Sequence, residues 1–239
     1  MERKKNIIIL LSEGRSGTNG LYRHIFANKM CKPEPYKDTP TKKRELFKKS
    51  LMSRISSFER SKIIHIKPSH MWSSTCGKVT TKELVDVCME CGINNFIVIT
   101  RKNILARLAS DPNLGSKYKK HVEISPDKLR SKLEKGDKFE REAIDYIKSK
   151  KETKLVPLIY EDDIKEDINV ACKKVTDEFT WLPKWYINYS ESKFDTKKLK
   201  PCEQNNNLLD KRLTKDRISN VDKITVILKN RGALWMLNA

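Results

Sequence analysis

Five consecutive aliphatic residues, Ile7–Leu11, run straight into Ser12-Glu13-Gly14-Arg15-Ser16-Gly17-Thr18. An apolar run without alternation, closed by a glycine-bearing turn, reads as a strand covered on both faces, which is the habit of a parallel sheet. Residues 16–30 then read as a helix. Strand, tight turn and helix start together gather backbone N–H groups around one point, and the helix dipole adds positive potential there. Gly14 and Gly17 permit close backbone approach, Ser16 and Thr18 offer hydroxyls, and Arg15 supplies a fixed cation. The segment therefore has the make-up of a phosphate-cradling loop. It is not the Walker A pattern G-x-x-x-x-G-K-[S/T], because Asn19, Gly20 and Leu21 stand where the second glycine, the lysine and the magnesium-binding hydroxyl would be. A metal-dependent NTPase is disfavoured, and no metal site is expected.

The remaining chain alternates strand and helix patterns. Strands are expected at 62–67, 95–100 and 154–160, with Pro157 marking an irregularity or an edge position. Helices are expected at 42–58, 80–91 with Gly92 as its stop, 104–110, 126–151 with a possible break near Gly136, 163–179 and 217–238. Residues 32–41, 68–78, 111–123 and 181–201 read as loops or irregular chain. Such alternation predicts right-handed βαβ units: an α/β fold with a central, mostly parallel sheet flanked by helices, organised as one domain over 1–239 with helical insertions near 33–60 and 111–151. Ligands of such sheets bind beyond the carboxyl ends of the strands. The ends fall at Arg15 and Ser16, at Lys67 and His70, at Arg101, and at Tyr160.

Lys plus Arg number 50 against 31 Asp plus Glu, a formal charge of +19 that attracts polyanions of every kind. The lysines are spread along the chain rather than gathered in one block, so charge alone does not choose between nucleic acid and a nucleotide. No helix-turn-helix, zinc-finger or aromatic–basic strand pattern accompanies it, and no specific nucleic-acid partner is expected. Cys88 and Cys91 form a C-x-x-C, but a second pair of soft ligands is not evident, and i, i+3 positions of a helix favour packed thiols. Reduced cysteines without a signal peptide point to the cytoplasm, and the run Ile7–Leu11 is too short to span a bilayer.

At several places the chain resembles the sulfotransferases that use 3′-phosphoadenosine 5′-phosphosulfate. Arg15-Ser16-Gly17-Thr18 matches their [R/K]-S-G-[T/S] loop for the 5′-phosphosulfate. Arg101-Lys102-Asn103-Ile104-Leu105 through Ser110 is similar to the R-R-N-x-L-x-x-x-x-S form of their 3′-phosphate segment in bacterial carbohydrate and lipid members. Leu158-Ile159-Tyr160-Glu161-Asp162 resembles a hydrophobic-Y-E-D-L signature whose tyrosine lies near adenine, and Arg217-Ile218-Ser219-Asn220-Val221-Asp222 resembles an R-I-S-N-Y-D-E run. The matches occur in the family's order.

The resemblance implies a P-loop-like fold and a metal-independent transfer of a sulfuryl group to a hydroxyl or amine of a small metabolite, natural product or glycan, leaving adenosine 3′,5′-bisphosphate. It implies that Arg15, Ser16, Gly17, Thr18 and Asn19 hold the 5′ group, that Arg101 and Ser110 hold the 3′-phosphate, and that Tyr160 contacts adenine. Ile66-Lys67-Pro68-Ser69-His70 is similar to the family's K-T-H segment with one extra residue. It makes His70 the general base and gives Lys67, with Arg15, the charge on the bridging oxygen. Glu13 and Glu45 are the other candidate bases. Lys211, Arg212 and Arg231 are candidates for a further clamp, and the aromatic cluster 181–185 reads as core. A nucleotide kinase, a nucleotide-binding regulator and a basic nucleic-acid binder are the alternative functions.

Overall fold

The computed structural model describes residues 6–13, 18, 21, 34–35, 44–56, 62–67, 72–73, 77–110, 121–136, 138–165, 167–182 and 213–238. The chain divides into two compact units, Met1–Thr100 with Lys138–Ser192, and Arg101–Asp137 with Lys193–Ala239.

The first unit is built on a parallel sheet. Its strands are β1 (Ile7–Leu11), the two-residue β2 (Glu34–Pro35), β3 (Lys62–Ile66), β6 (Asn95–Thr100) and β7 (Lys154–Ile159), in the order β2-β3-β1-β6-β7. Every pairing is parallel, so each connection crosses over the sheet. The central position of β1 explains its unbroken aliphatic run, because alternate residues serve opposite faces. Ile7, Ile9 and Leu11 enter one core with Phe47 and Leu51 of α1 (Arg44–Ser56), Leu84 and Val85 of α2 (Thr81–Glu90), and Ala143 and Ile147 of α5 (Lys138–Lys148). Ile8 and Leu10 enter the other with Val156, Leu158, Tyr160 and the inner residues of α6 (Ile168–Glu178). All five are buried, and each such side chain contributes about 1.5–3 kcal/mol by leaving water.

Local signals set the element ends. Thr80 caps α2 in a capping box: its hydroxyl accepts from the Glu83 N–H at 3.2 Å, and the Glu83 carboxylate accepts from the Thr80 N–H at 2.7 Å. Gly92, at φ 77°, ends the helix as its sequence position implies. Pro157 lies on β7, an edge strand among the described residues, a position that tolerates a residue without an N–H. Residues 72–78, expected as loop, contain a short antiparallel pair, β4 (Trp72–Ser73) with β5 (Gly77–Lys78). The helix expected from residue 163 is delayed, because Tyr160–Lys165 first forms a π-type turn.

The second unit is helical. Its described residues include α3 (Ile104–Ala109), α4 (Pro126–Lys135), α7 (Val221–Lys229) and two 3₁₀ turns, Thr214–Arg217 and Leu234–Leu237. Leu105, Leu108, Ile124, Leu129, Ile224 and Leu228 form its core. The helical pattern at 126–151 is two helices, α4 and α5, divided at Gly136, whose φ of 54° with ψ of −141° is open to glycine alone. The two halves belong to different units. The pattern at 217–238 is likewise broken, because Ile218 leaves the helix to bridge Val122.

Candidate anion site at the end of the first strand

Three strands of the first unit deliver polar residues to the carboxyl edge of its sheet. Leu11 is in register with Ile66, so Ser12 and Lys67 leave neighbouring strands side by side. Ser12 is fully buried; its N–H donates to the Ile66 carbonyl at 3.4 Å and its Oγ lies 2.9 Å from Nε2 of His65. The next N–H, that of Glu13, donates to Oε1 of Glu140 at 2.7 Å. Beyond these, Thr18 and Leu21 are helical and buried, with Leu21 in the core that Ile8 and Leu10 enter. A strand thus precedes residues 14–17, and the helical Thr18 follows them. Arg15, Ser16, Gly17 and Asn19 lie outside the described residues, as does His70.

Lys67 follows β3 directly and is half-buried. Tyr160 follows β7, and Ile159 is in register with Thr100. The edge from β1 to β7 spans two strand spacings, about 10 Å. Tyr160 is 8% exposed, its ring packed in the second core. The turn it opens is held by Asp163, a buried carboxylate that accepts the Ile159 N–H at 2.7 Å and the Lys174 ammonium at 2.9 Å. Of the other candidate bases, Glu13 is half-buried and Glu45 is exposed on the first turn of α1.

Arg101 comes next in the chain after β6 and is the first residue of the second unit. Asn103 caps α3 by accepting the Ala106 N–H at 2.8 Å, and its amide donates to the Met236 carbonyl at 3.0 Å. Ser110 closes the same helix. Its hydroxyl lies 3.0 Å from the Ala106 carbonyl and 2.9 Å from that of Arg107, so its proton is directed at the helix end. To donate to a phosphate it must turn away from both. Arg107 of the same helix, a buried cation with no role in the expectations above, is 5% exposed. Its signal was present, since it interrupts an apolar stretch at helical spacing.

The run at 217–222 acquires a structural role. The Arg217 guanidinium donates to the Ala109 carbonyl at 3.2 Å, capping α3 one residue before Ser110. Asn220 pairs with the backbone of Ile124 in both directions, accepting its N–H at 3.1 Å and donating to its carbonyl at 2.8 Å. Arg231, a candidate clamp residue, is paired with Glu134 at 3.1 Å on the surface of the same unit, while Lys211 and Arg212 lie outside the described residues.

Cys88 is fully buried in the first core, and burial pushes its thiol far above the ordinary value; Cys91, half-buried, is raised for the same reason. Trp181 packs against the second core with its ring centroid 6.4 Å from that of Phe179, as a core aromatic does; Trp185 lies outside the described residues. Among the described residues, no group of three or more His, Cys, Asp or Glu side chains is gathered as for a metal, and no helix is long and apolar enough to cross a membrane. Comparison with protein-family models, curated proteins and solved structures returned no match to this chain.

Proposed function

We propose that this protein is a sulfotransferase that moves a sulfuryl group from 3′-phosphoadenosine 5′-phosphosulfate to a hydroxyl or amine of a small polar metabolite, natural product or glycan. The observation that carries the reading is the carboxyl end of β1. A strand buried on both faces, an exit tied down at Ser12 and Glu13, the sequence Arg-Ser-Gly-Thr and a helical Thr18 are what an anion-binding turn requires. Lys67, leaving the adjacent strand beside it, adds a second cation.

Sulfuryl transfer, like phosphoryl transfer, depends on positioning and on meeting charge along an in-line path. In the proposed reaction the acceptor oxygen or nitrogen attacks sulfur and the bond from sulfur to the bridging phosphate oxygen breaks. Lys67 and Arg15 meet the charge left on that oxygen, and His70 takes the acceptor's proton. Ser16, Gly17, Thr18 and Asn19 hold the 5′ group, Arg101 and Ser110 the 3′-phosphate, and Tyr160 the adenine. No step calls for a metal. The protein is proposed to act in the cytoplasm.

A thermal-shift titration separates this reading from its rivals. Adenosine 3′,5′-bisphosphate is expected to raise the melting temperature in EDTA, with ATP doing so far less. A shift seen only with magnesium and ATP would point instead to a kinase. Salt-sensitive DNA binding without any bisphosphate effect would favour a nucleic-acid binder, the reading that the charge of +19 keeps in view.

A further inference from the structure

We infer that Glu140 and His65 are positioning residues that fix the exit of β1 and thereby set the anion-binding turn. The inference rests on the reading of residues 14–18 as that turn. Ser12 and Glu13 are the last residues before it, and each is held by an ionisable side chain from a different element. Glu140 stands on the inner face of α5, where its companions are Ala143 and Ile147, and it is 0% exposed. Its Oε1 takes the Glu13 N–H at 2.7 Å across 127 residues of sequence. His65 interrupts the buried run Ile63, Ile64, Ile66 of β3, is 5% exposed, and meets the Ser12 hydroxyl at 2.9 Å.

Both positions are ones where an aliphatic residue would complete the core, and burying a carboxylate there costs folding free energy unless its bonds offset it. What the two side chains obtain is the backbone and side chain of two consecutive residues at the one point where the sheet ladder ends. The Ser12 N–H bond to Ile66, at 3.4 Å, is long, so the ladder itself holds the exit weakly. An anion site made of backbone N–H groups works only when those groups converge before the ligand arrives. The role inferred for Glu140 is that of acceptor for the Glu13 N–H, which a neutral amide oxygen can also fill.

That separation of acceptor from charge yields the test. Glu140→Gln keeps an oxygen for the Glu13 N–H and removes the charge, whereas Glu140→Leu keeps the volume and removes both. Two readouts are taken on the full chain: the dissociation constant for adenosine 3′,5′-bisphosphate by calorimetry, and amide hydrogen exchange of Glu13. E140L is expected to bind at least about tenfold more weakly and to exchange the Glu13 amide about tenfold faster, with E140Q restoring both to near wild type. Should E140L fail to fold, Ser12→Ala serves in its place: binding is expected to be several-fold weaker and the melting temperature lower, because the buried His65 loses the Ser12 hydroxyl, and binding equal to wild type overturns the inference. E140L equal to wild type in both readouts, or E140Q as impaired as E140L, overturns the inference. If the wild-type protein binds no bisphosphate, the proposed function fails, while the exchange experiment still decides whether Glu140 anchors Glu13.

Discussion

Asn220→Ala is the substitution whose effect follows most directly from geometry. Its amide satisfies both backbone groups of Ile124, a residue that is itself 0% exposed. Alanine removes the acceptor for one group and the donor for the other. A buried group left without a partner costs roughly 1–3 kcal/mol, and Asn220 is partly exposed, so water will recover some of it; the expected loss is about 2–4 kcal/mol. Asn220→Asp is the informative companion, because one oxygen still accepts the Ile124 N–H while the other now faces the Ile124 carbonyl, and it is expected to lose at least as much. Urea denaturation followed by tryptophan fluorescence measures this, with Trp235 as the tryptophan that the sequence supplies to the second unit. The midpoint should fall without a change in the slope with denaturant. A loss below about 0.5 kcal/mol for both variants, the range of an ordinary surface change, would refute the claim that this amide staples the segment.

The Cys172 thiol is pushed up to about 12 by burial, with the Asp167 charge adding to it. Between its ordinary value of 9.0 and about 12 the unfolded chain releases a proton that the folded chain keeps, so this group's stability is intact below pH 9 and is lost as pH rises, by at most about 1.4 kcal/mol per unit. The difference in unfolding free energy between wild type and Cys172→Ala should therefore be flat below pH 9 and shrink above it. Thr80→Ala should cost about 1 kcal/mol by opening the capping box of α2, measured by thermal or urea denaturation. The Thr80 N–H holds the Glu83 carboxyl below its usual range, so the gap between wild type and Glu83→Gln should be present at neutral pH and close as pH falls through the carboxylate range. Under the proposed function, Arg101→Ala should weaken bisphosphate binding about ten- to a hundredfold, as a lost charge-assisted bond does. His70→Ala should keep that affinity while turnover drops about 10²- to 10⁴-fold.

The sheet was legible because β1, β3, β6 and β7 carry dense aliphatic runs, and burial on both faces leaves little else for such runs to do. The edge position of Pro157 and the stop at Gly92 were readable for a similar reason, since each depends on one residue's own backbone chemistry. What could not be read depends on partners far away in sequence. Residue type alone does not distinguish Glu140 from the exposed Glu142 of the same helix; its role comes from Glu13, 127 residues earlier. His65 is a packed strand residue whose bond to Ser12 exists only because β1 and β3 lie in register, which no local pattern in β3 specifies. The π-type turn at Tyr160–Lys165 also escaped, because it is held by the buried side chain of Asp163 rather than by any helix-stop residue. Similarly, Asn220 and Arg217 looked like parts of a functional signature, and their described contacts are to the backbone of their own unit.

The central claim is that the turn after β1 binds the phosphates of a sulfuryl-donor nucleotide without a metal. Isothermal calorimetry with adenosine 3′,5′-bisphosphate in EDTA tests it most directly. The account predicts saturable, one-to-one binding that is unchanged by added magnesium and is lost or severely weakened in Arg15→Ala. Absence of binding in EDTA, or binding that Arg15→Ala leaves intact, would contradict it.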